Sequence, residues 1–585
     1  MRKVKIVCTL GPACGDIGKL RAIAAAGMNV ARFNFSHGDY EGHGRMLELT
    51  RQVERETGTP IASILDTKGP EIRTGLLAGH KDARLAAGSV FRLVTNECEG
   101  DAERVSISYA GLPKEVAAGQ NLYIDDGEIH LEVTGTEPGC VVCRVMVGGD
   151  LGEHKGVNVP GADLSVPTLT EKDAADIEWG IDHDMDYIAV SFVRRREDIT
   201  QVRRVIERRG GRAKSVNVMA KIETVQSVQN IEDIIQVVDA VMIARGDLGV
   251  EMPAEMVPMV QKRIIEMCRA LGKPVVVATQ MLDSMMRNPR PTRAEAADVA
   301  NAVLDGADAV MLSGETAGGR YPVESAEMMA KIIETTEREG TKRFTMPGED
   351  ARAKNAADSV SHSAMMVASE LGAAAVLSLT RSGSTAAMVS KYRPSAPILA
   401  STPLVSTWRA LSLMWGVRPF LAEERSSSED AVDTAMDSIL ERGYVREGDA
   451  VVITTGFPVS VPGTTNMLLV RTVGKILFRA PSLIKTEASG IARKAESASD
   501  ADARVAPGNV LVVRKADAGY ARAMKKAAAI ITEEHGVTNF TSLTALQLGI
   551  PCVSYEGAFD LLRDGALVTV DGARGVVYEG RVKTK

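Results

Sequence analysis

Length and composition are those of a large globular protein. The chain has 585 residues, a net charge of −7, 45% hydrophobic and 25% charged residues, and at about 150 residues per domain it should hold about four domains. The negative charge gives no reason to expect nucleic acid or an anionic membrane as a partner. No stretch approaches the ~18 apolar residues of a membrane span, the N-terminus lacks the apolar core of a signal peptide, and the seven cysteines form no disulfide framework. We therefore expect a cytoplasmic protein with reduced thiols.

Eight short runs rich in Val and Ile, each followed by an amphipathic helical stretch, occupy the first half of the chain. Such runs predict parallel strands buried on both faces, and eight strand–helix units are enough to close a β/α barrel. A doubly wound sheet is the alternative that the pattern leaves open. The predicted strands are Val4–Cys8, Asn29–Phe35, Ile61–Asp66, Tyr187–Phe192, Val216–Ile222, Ala240–Ala244, Pro274–Thr279 and Ala309–Ser313.

The helical pattern disappears between Glu71 and Pro167. Alternating segments there, such as Val90–Thr95 and Ile129–Thr134, predict a small antiparallel β domain. It interrupts the barrel after the third strand, at one of its top loops, where a lid would lie.

A second α/β domain follows the barrel, and a polar join around Ala488–Ala506 lies within a fourth unit. The further predicted strands are Ala375–Thr380, Pro397–Ala400, Ala450–Thr455, Met467–Val473, Asn509–Val513 and Ala528–Thr532. The predicted domains are the barrel (1–70 and 168–341), the lid (71–167), the second α/β domain (342–473) and the fourth unit (474–585).

Charged and polar residues gather at the predicted carboxyl ends of the barrel strands, where barrel enzymes place their catalytic groups. Lys221 and Glu223 share one face of the fifth strand, and Asp247 follows the sixth. Taken alone, the Lys–Glu pair could equally be a structural salt bridge. With Asp247 added, two carboxylates suit a hard cation such as magnesium, and Lys221 beside them suits a transferring phosphoryl group. The backbone N–H groups at Gly246-Asp247 favour an anion such as a substrate carboxylate.

The ends of the second and third predicted strands carry side-chain oxygens that could bind a cation, and one of these side chains is negatively charged. Asn34, Ser36, Asp66 and Thr67 suit a monovalent cation better than a transition metal, although Asn and Ser singly could be turn caps. Arg32 and Arg73 add positive charge for phosphate. His37 beside Gly38 is more typical of a loop residue than of a catalytic base.

At these residues the chain resembles the pyruvate kinase family, over residues 1 to about 473. Six motifs occur in the family's order, and all six together are not a chance match. They are Asn29–Gly38, Asp66–Gly75, Lys221–Glu223, Ala244–Gly249, Ala278–Leu282 and Met311–Ala317. The last ~110 residues resemble the extra C-terminal domain of some bacterial members, which is similar to the swivelling phosphohistidine domain of enzymes that use phosphoenolpyruvate.

The resemblance implies a fold and a reaction. The fold is a TIM (β/α)8 barrel with an inserted small β-barrel lid, a C-terminal α/β regulatory domain and an extra swivelling-type α/β domain. The reaction is phosphoryl transfer from phosphoenolpyruvate to ADP, giving pyruvate and ATP at the end of glycolysis, with Mg2+ (or Mn2+) and K+ as cofactors. A cytoplasmic homotetramer is implied as well.

The resemblance also implies residue roles. Lys221 would stabilise the transferring phosphoryl group, and Thr279 lies where the family protonates enolpyruvate through water. The implied substrate residues are Arg32, Lys221, Gly246, Asp247 and Thr279, with Arg32, Lys221 and Thr279 as catalytic groups. Magnesium would be held by Glu223 and Asp247, and potassium by Asn34, Ser36, Asp66 and Thr67. The implied nucleotide residues are Asn34, Phe35, Ser36, His37, Arg73 and Lys155.

In the second α/β domain, the loop of Thr380, Arg381, Ser382, Gly383, Ser384 and Thr385 resembles the family's phosphate-binding effector loop. A Ser/Thr/Gly loop after a strand is also a plausible anion nest on its own terms. The implied effector is phosphorylated, either AMP or a sugar phosphate. Family members that do not need potassium carry Lys in place of Glu71 and change Thr67, Lys68 and Thr74; this chain keeps all four.

The last domain departs from its relatives. Where they carry the phosphorylated histidine, this chain has Thr538-Asn539-Phe540, and His535 lies five residues earlier. A phenyl ring cannot carry phosphate, so we expect a structural or regulatory domain. Two rival functions are a different enzyme that works through phosphohistidine and a catalytically dead metabolite sensor. The presence of Lys221, Glu223, Asp247 and Thr279 speaks against the sensor.

Overall fold

A computed structural model of the chain describes residues 2–162, 164–210, 216–340, 355–425, 427–456, 465–482, 484–536 and 538–582. The predicted domain boundary at residues 341/342 lies outside the described residues. One compact unit holds the described residues up to 340 together with Leu404–Pro419, and a second unit holds 355–403 and those from Phe420 onward.

The first unit begins with three barrel strands and two helices: β1 (Lys5–Thr9), α1 (Ile17–Ala26), β2 (Val30–Asn34), α2 (Tyr40–Thr57) and β3 (Ala62–Asp66). The lid follows, with β4 (Ala83–Arg84), β5 (Val90–Val94), β6 (Arg104–Ser106), α3 (Leu112–Glu115), β7 (Asn121–Ile124), β8 (Ile129–Glu137), β9 (Cys140–Val147), β10 (Asp150–Leu151) and β11 (Val157–Asn158). The lid strands form a six-stranded sheet in the order β11-β7-β8-β9-β5-β6 and a β10-β4 pair. Alternation along β8 buries Ile129, Leu131 and Val133 in the lid's own core.

The barrel then resumes. Its remaining elements are α4 (Glu171–Asp182), β12 (Tyr187–Val190), α5 (Arg196–Arg209), β13 (Asn217–Ile222), α6 (Val225–Gln229), α7 (Ile231–Val237), β14 (Ala240–Ala244), α8 (Arg245–Glu251), α9 (Val257–Leu271), β15 (Val275–Ala278), α10 (Arg293–Asp305), β16 (Ala309–Leu312), α11 (Gly314–Ala317) and α12 (Pro322–Glu339).

The eight barrel strands close in the order β1-β16-β15-β14-β13-β12-β3-β2. Closure is made by β1, where Lys5 to Cys8 pair in parallel with Ala309 to Leu312 of β16. The β/α barrel is therefore confirmed over the doubly wound alternative. The eight predicted strands agree with the observed ones to within one or two residues, because strands buried on both faces read as continuous apolar runs.

Local signals set the limits of many barrel helices, as α10 illustrates. The Thr292 hydroxyl accepts from Glu295 N at 3.2 Å, and the Glu295 carboxylate accepts from Thr292 N at 2.7 Å, which is a capping box. The helix ends at Gly306, whose φ of 98° is a left-handed conformation that glycine adopts without steric cost.

The second unit begins with α13 (Ala356–Glu370), β17 (Ala375–Leu379), α14 (Ser384–Lys391) and β18 (Ile398–Thr402). The next helix, α15 (Val405–Ala410), belongs to the first unit. The remaining elements of the α/β domain are β19 (Val417–Leu421), α16 (Ser428–Glu441), β20 (Ala450–Gly456) and β21 (Thr465–Thr472). The sheet order is β19-β18-β17-β20-β21. The strand β19 has no counterpart among the predicted strands, because it carries a charged and a prolyl residue, Arg418 and Pro419, in its interior.

The last elements are β22 (Ile476–Arg479), β23 (Glu487–Lys494), α17 (Ala498–Arg504), β24 (Val510–Val513), α18 (Ala521–Lys526), β25 (Ala529–Thr532), α19 (Phe540–Leu548), β26 (Cys552–Ser554), α20 (Ala558–Leu561), β27 (Leu567–Asp571) and β28 (Val576–Glu579). They build a seven-stranded sheet in the order β22-β28-β27-β23-β24-β25-β26. The predicted polar join at Ala488–Ala506 is wrong, because β23 and α17 occupy it. The error arose because β23 buries Gly490 and Ala492, and small side chains carry little strand propensity.

The segment Leu404–Pro419 packs with the barrel, although it lies between two strands of the α/β domain. The Arg409 guanidinium binds the buried Glu54 carboxylate, with its closest contact at 2.6 Å. Leu413 and Trp415 are both buried among barrel residues. By its position in the chain this segment would belong to the α/β domain, but long-range contacts place it against the barrel.

Candidate active site

The residues predicted to bind substrate, magnesium and potassium lie at the carboxyl ends of the barrel strands. Arg32 lies in β2, Asp66 ends β3, Lys221 lies in β13 and Thr279 directly follows β15. Since all eight strands are parallel, these residues meet at one edge of the barrel, which is where barrel enzymes carry out their chemistry.

The Lys221 ammonium lies at the centre of this group. Its Nζ is 2.7 Å from Glu223 Oε1, 3.1 Å from Asp66 Oδ1 and 2.7 Å from Ser191 Oγ, so each of its three N–H groups has an acceptor. Burial alone would lower the pKa of Lys221, but Asp66, Glu223 and Asp247 outweigh burial and raise that pKa above its usual value. The ammonium therefore stays charged at neutral pH.

Asp66 is shared between two cations. The Arg32 Nε donates to Asp66 Oδ2 at 2.7 Å, and Arg32 Nη1 donates to Thr9 Oγ1 at 3.0 Å. Burial acts to raise the pKa of Asp66, but Arg32 and Lys221 lower it below its usual value. An ionised Asp66 thus holds both cations at the strand ends.

Glu223 and Asp247 are two further buried carboxylates. Burial raises the pKa of each, and the neighbouring Lys221 offsets only part of that effect. The second oxygen of Glu223 accepts from Phe192 N at 2.7 Å. Crowded carboxylate oxygens of this kind fit a hard divalent cation. Among the described residues no cluster of three or more His, Cys, Asp or Glu side chains could hold a metal, so an ion at these two residues would also need oxygens from substrate or water.

The four residues predicted for potassium lie at adjoining strand ends. Parallel pairing places Asn34 of β2 beside Asp66 of β3. The Asn34 Oδ1 accepts from Ser36 N at 3.2 Å, and the Thr67 carbonyl accepts from Ser191 Oγ at 2.6 Å. All four residues offer oxygen ligands, the type that alkali cations prefer over nitrogen or sulfur.

Thr279 is held in an unusual backbone conformation. Its φ is 67°, and that of Gln280 is 54°, although Thr is β-branched and strongly disfavours a positive φ. The Thr279 hydroxyl accepts from Gly246 N at 2.7 Å and lies 2.6 Å from the Ala278 carbonyl, to which it donates. The structure thus brings Thr279 to the start of α8, beside Gly246 and Asp247. Backbone strain of this kind persists where the surrounding structure enforces it, often at functional sites.

Arg245 is a supporting residue that was not predicted, although it lies within the motif Ala244–Gly249. Its guanidinium binds Asp298 of α10 through two contacts, of 2.7 and 2.6 Å. The same guanidinium donates to the Thr279 carbonyl at 2.9 Å. Asp298 has no motif of its own, so no local sequence signal marks this pair.

A cavity of about 300 Å³ lies between the lid and the barrel. Its walls include Arg73, Asp125 and Lys155 from the lid and Asp247 from the barrel. The Lys155 Nζ is 2.6 Å from Asp125 Oδ2, and the Arg73 Nη2 is 2.6 Å from Glu71 Oε2. Both lid cations predicted to contact the nucleotide are therefore paired with lid carboxylates.

The other predicted nucleotide residues, Asn34 to His37, lie outside the walls of this cavity. The Phe35 ring is buried and stacks on His43 at a centroid distance of 4.2 Å. It also packs on Trp179. The backbone of Phe35 is engaged as well, because its N–H donates to the Asp66 carbonyl at 2.9 Å and its carbonyl accepts from Lys172 Nζ at 3.0 Å. His37 is exposed, and its carbonyl interacts with the His43 ring at 2.9 Å.

The end of the fourth barrel strand carries two residues that the sequence analysis also overlooked. Ser191 contacts Lys221, and Phe192 contacts Glu223 through its backbone. Ser191 directly follows β12, so its position at a strand end is the same local signal that marks Asp247 after β14.

The predicted effector loop lies in the second unit and follows β17. Gly383 has a φ of 90° and precedes α14, which begins at Ser384. The Thr380 hydroxyl accepts from Gly383 N at 2.9 Å, and Ser382 Oγ is 3.1 Å from Ser384 Oγ. Arg381 forms an ion pair with Glu424. The loop therefore places the Ser382 and Ser384 hydroxyls and the Arg381 guanidinium at the N-terminus of α14.

In the last domain, Phe540 is the first residue of α19, and Asn539 caps that helix by accepting from Ser542 N at 2.7 Å. The His535 imidazole lies 3.4 Å from the Glu556 carboxylate on the neighbouring loop. The structure thus places His535 on the loop before α19, separated from the helix start that Phe540 occupies.

Comparison with known proteins agrees with this fold and site. A family model described as the pyruvate kinase barrel domain matches residues 1–326, one for the pyruvate kinase alpha/beta domain matches 358–471, and one for the mobile domain of PEP-utilising enzymes matches 505–575. Pyruvate kinases of Geobacillus stearothermophilus and Bacillus licheniformis are each 45% identical to this chain, over 583 and 585 residues and 99% of both chains. The crystal structure of a pyruvate kinase from Cryptosporidium parvum superimposes with a TM-score of 0.76 at 35% identity, covering 81% of this chain and 96% of that one.

The closed barrel and the ammonium–carboxylate cluster at its catalytic edge, together with these relatives, define a phosphotransferase. The chain belongs to the pyruvate kinase family, and it carries the extra C-terminal domain of the PEP-utilising type. In the part of the chain that the structure describes, no helix is both long and apolar enough to cross a membrane.

Proposed function

We propose that this chain converts phosphoenolpyruvate, ADP and a proton into pyruvate and ATP. The observation that carries the proposal is the Lys221 ammonium, held by Asp66 and Glu223 at the catalytic edge of the barrel. A charged donor in a fixed position stabilises the negative charge that spreads over the phosphoryl oxygens during transfer.

The substrate would be bound by residues that the fold already brings together. Arg32 and Lys221 supply positive charge for the phosphoryl group. The start of α8 offers backbone N–H groups to the substrate carboxylate, although Gly246 N already donates to Thr279. The proposed set is Arg32, Lys221, Gly246, Asp247 and Thr279.

The oxygens of Glu223 and Asp247 would hold Mg2+ or Mn2+, and those of Asn34, Ser36, Asp66 and Thr67 would hold K+. The raised pKa values of Glu223 and Asp247 support the divalent site, because a bound cation would relieve the cost of keeping two carboxylates ionised in a buried place. Bound there, the divalent ion would supply further positive charge to the substrate oxygens.

After transfer, enolpyruvate must gain a proton at its methylene carbon. The Thr279 hydroxyl already donates to the Ala278 carbonyl at 2.6 Å, so its own proton is engaged. We infer that Thr279 orients a water molecule that delivers the proton, in keeping with the role that its motif implies.

The nucleotide would enter the cavity between lid and barrel. Lys155 and Arg73 would exchange their partners Asp125 and Glu71 for phosphate oxygens. Residues 34–37, which lie outside the walls of this cavity, would contact a part of the nucleotide that extends beyond it on the barrel side. Lid closure over the bound substrates would exclude water from the transfer.

Regulation, assembly and location are further parts of the proposal. A phosphorylated effector, AMP or a sugar phosphate, would bind the loop of residues 380–385, supported by its hydroxyls and Arg381. A homotetramer in the cytoplasm and the four domain limits given above remain predictions. Transfer through phosphohistidine is not favoured, because Phe540 occupies the histidine position.

A coupled assay for pyruvate tests the proposal. Purified protein should form pyruvate from phosphoenolpyruvate and ADP when Mg2+ and K+ are both present. Omission of Mg2+ should abolish turnover, and omission of ADP should leave no pyruvate above the rate of spontaneous hydrolysis. Absence of turnover with both ions and both substrates would refute the proposed reaction.

A further inference from the structure

The residue that follows the fourth barrel strand contacts site residues at the ends of both neighbouring strands. Ser191, directly after β12, is 1% exposed. Its Oγ lies 2.7 Å from Lys221 Nζ on one side and 2.6 Å from the Thr67 carbonyl on the other. Its backbone N–H donates to Thr67 Oγ1 at 3.2 Å. Ser191 therefore joins the end of β3 to the side chain of Lys221.

The chemistry of the groups fixes the direction of these hydrogen bonds. An ammonium has three donors and no acceptor, so Ser191 Oγ accepts from Lys221. A hydroxyl has only one proton, and the Thr67 carbonyl at 2.6 Å is a nearer acceptor for it than Asp66 Oδ1 at 3.3 Å. The Ser191 oxygen is thus oriented toward Lys221 by its bond to Thr67.

The local backbone shows that this arrangement is enforced. Phe192 has a φ of 53°, a conformation that bulky residues strongly disfavour, and its N–H donates to Glu223 Oε2 at 2.7 Å. Gly69 allows the close approach, because a Cβ there would lie 2.8 Å from both Ser191 Cβ and the Phe192 ring. The two residues after β12 therefore orient both Lys221 and Glu223.

We propose that Ser191 is a positioning residue for phosphoryl transfer, and that its hydroxyl holds the Lys221 ammonium in place and links it to Thr67. The inference rests on the proposed function for its catalytic consequence. Without the hydroxyl, Lys221 keeps its two carboxylate partners but loses the neutral acceptor that fixes its third N–H. The ammonium would then move toward Asp66 and Glu223, away from the phosphoryl group.

The test compares Ser191→Ala with Ser191→Thr and with Ser325→Ala. Ser325 is a matched control, because it is a fully buried barrel serine whose hydroxyl donates to the Tyr321 carbonyl at 2.7 Å, outside the site. We expect Ser191→Ala to lower kcat about 10–100-fold, less than the loss of a direct donor, and to change KM for ADP less than about twofold. Ser191→Thr should recover at least part of kcat, and Ser325→Ala should stay within about twofold of the parent.

Two readouts separate positioning from general damage. Since the Thr67 carbonyl loses its donor, the K+ concentration for half-maximal activity should shift in Ser191→Ala and stay unchanged in Ser325→Ala. A crystal structure of Ser191→Ala should show the Lys221 Nζ displaced, with an unchanged melting temperature as evidence that the fold is intact. The crystal structure tests the inference even if the parent enzyme lacks the proposed activity.

Two results would overturn the inference. One is a Ser191→Ala enzyme with kcat within twofold of the parent and Lys221 in its original place. The other is equal loss of kcat in the Ala and Thr variants with no shift in K+ dependence, which would indicate packing and not the hydroxyl.

Discussion

In the lid, the Lys155 ammonium lies 2.6 Å from the Asp125 carboxylate, and both residues line the cavity that Asp247 also lines. The Asp125 hydrogen bond is the largest influence on Lys155 and raises its pKa above the usual value. A nucleotide phosphate that reached Lys155 would have to compete with this carboxylate. The pair is partly exposed, so its strength is modest.

Because Asp125 and Lys155 form a pair, we expect their replacement to change KM for ADP in opposite directions. Asp125→Asn should lower KM for ADP about two- to fivefold, because an exposed pair is worth up to about 1 kcal/mol. Lys155→Met should raise KM for ADP, with little change in KM for phosphoenolpyruvate. Steady-state kinetics with each substrate varied in turn measures both effects. An unchanged KM for ADP in both variants would remove Lys155 from the nucleotide site.

Lys221→Met should abolish most turnover while leaving the protein folded. A charged donor aimed at transition-state charge is typically worth about 3–4 kcal/mol, so kcat should fall about 100- to 1000-fold. Lys221→Arg is the matched control, since it keeps the charge but changes its position, and it should retain more activity than Met. Binding of Mn2+, measured by electron paramagnetic resonance, should persist in Lys221→Met. Near-normal turnover in that variant would disprove the assigned role.

Potassium should activate the enzyme, and sodium should do so only weakly. This chain keeps Glu71, which pairs with Arg73 at 2.6 Å, where family members independent of potassium carry Lys. We expect Glu71→Lys to reduce the dependence on K+, because an ammonium there would supply part of the missing positive charge. Activity is measured against K+ concentration in tetramethylammonium buffer. Full activity of the parent protein in buffer free of K+ and Na+ would contradict the prediction.

Replacing Ser382 and Ser384 with Asp should abolish activation by AMP or ribose 5-phosphate and leave basal activity intact. The two hydroxyls lie 3.1 Å apart, so two carboxylates there would repel a phosphate. The matched control is the double Ala variant, which removes the hydroxyls without adding charge and should weaken activation less. Initial rates at subsaturating phosphoenolpyruvate, with and without each effector, give the result. Unchanged activation in the double Asp variant would place the effector elsewhere.

The extra domain should carry no phosphoryl group, and its removal should spare the chemical step. Incubation with labelled phosphoenolpyruvate should leave no acid-labile label on residues 474–585, because Phe540 stands where a histidine would be needed. His535→Ala is the control for the one nearby imidazole. Stoichiometric label on His535 would overturn the prediction.

Truncation after Val473 is a second, independent test of the role of the extra domain. The cut removes Arg479, which forms ion pairs with Asp433 and Glu429 of α16. We therefore expect a lower melting temperature with kcat within a few-fold of the full chain. A truncated protein that folds but has lost all chemistry would show that the domain takes part in catalysis.

The barrel and most of its chemical groups could be predicted from local sequence patterns. Strands buried on both faces read as apolar runs, and the residue that follows each run lies at the catalytic edge of any parallel barrel. Lys221, Glu223 and Asp247 could therefore be placed together without coordinates. Small residues weaken the same signal in β23, so the sequence predicts a polar join there and the structure has a strand.

Contacts between groups that are distant in the chain emerge only once the strands and helices are packed. The partner of Arg245 is Asp298, 53 residues away, and Ser191 meets Lys221 across 30 residues. Leu404–Pro419 belongs to the α/β domain by its position in the chain and to the barrel by its packing. Periodicity and capping are local properties that a sequence displays directly. Pairing between distant residues depends on how strands and helices are brought together, and it leaves no local pattern to read.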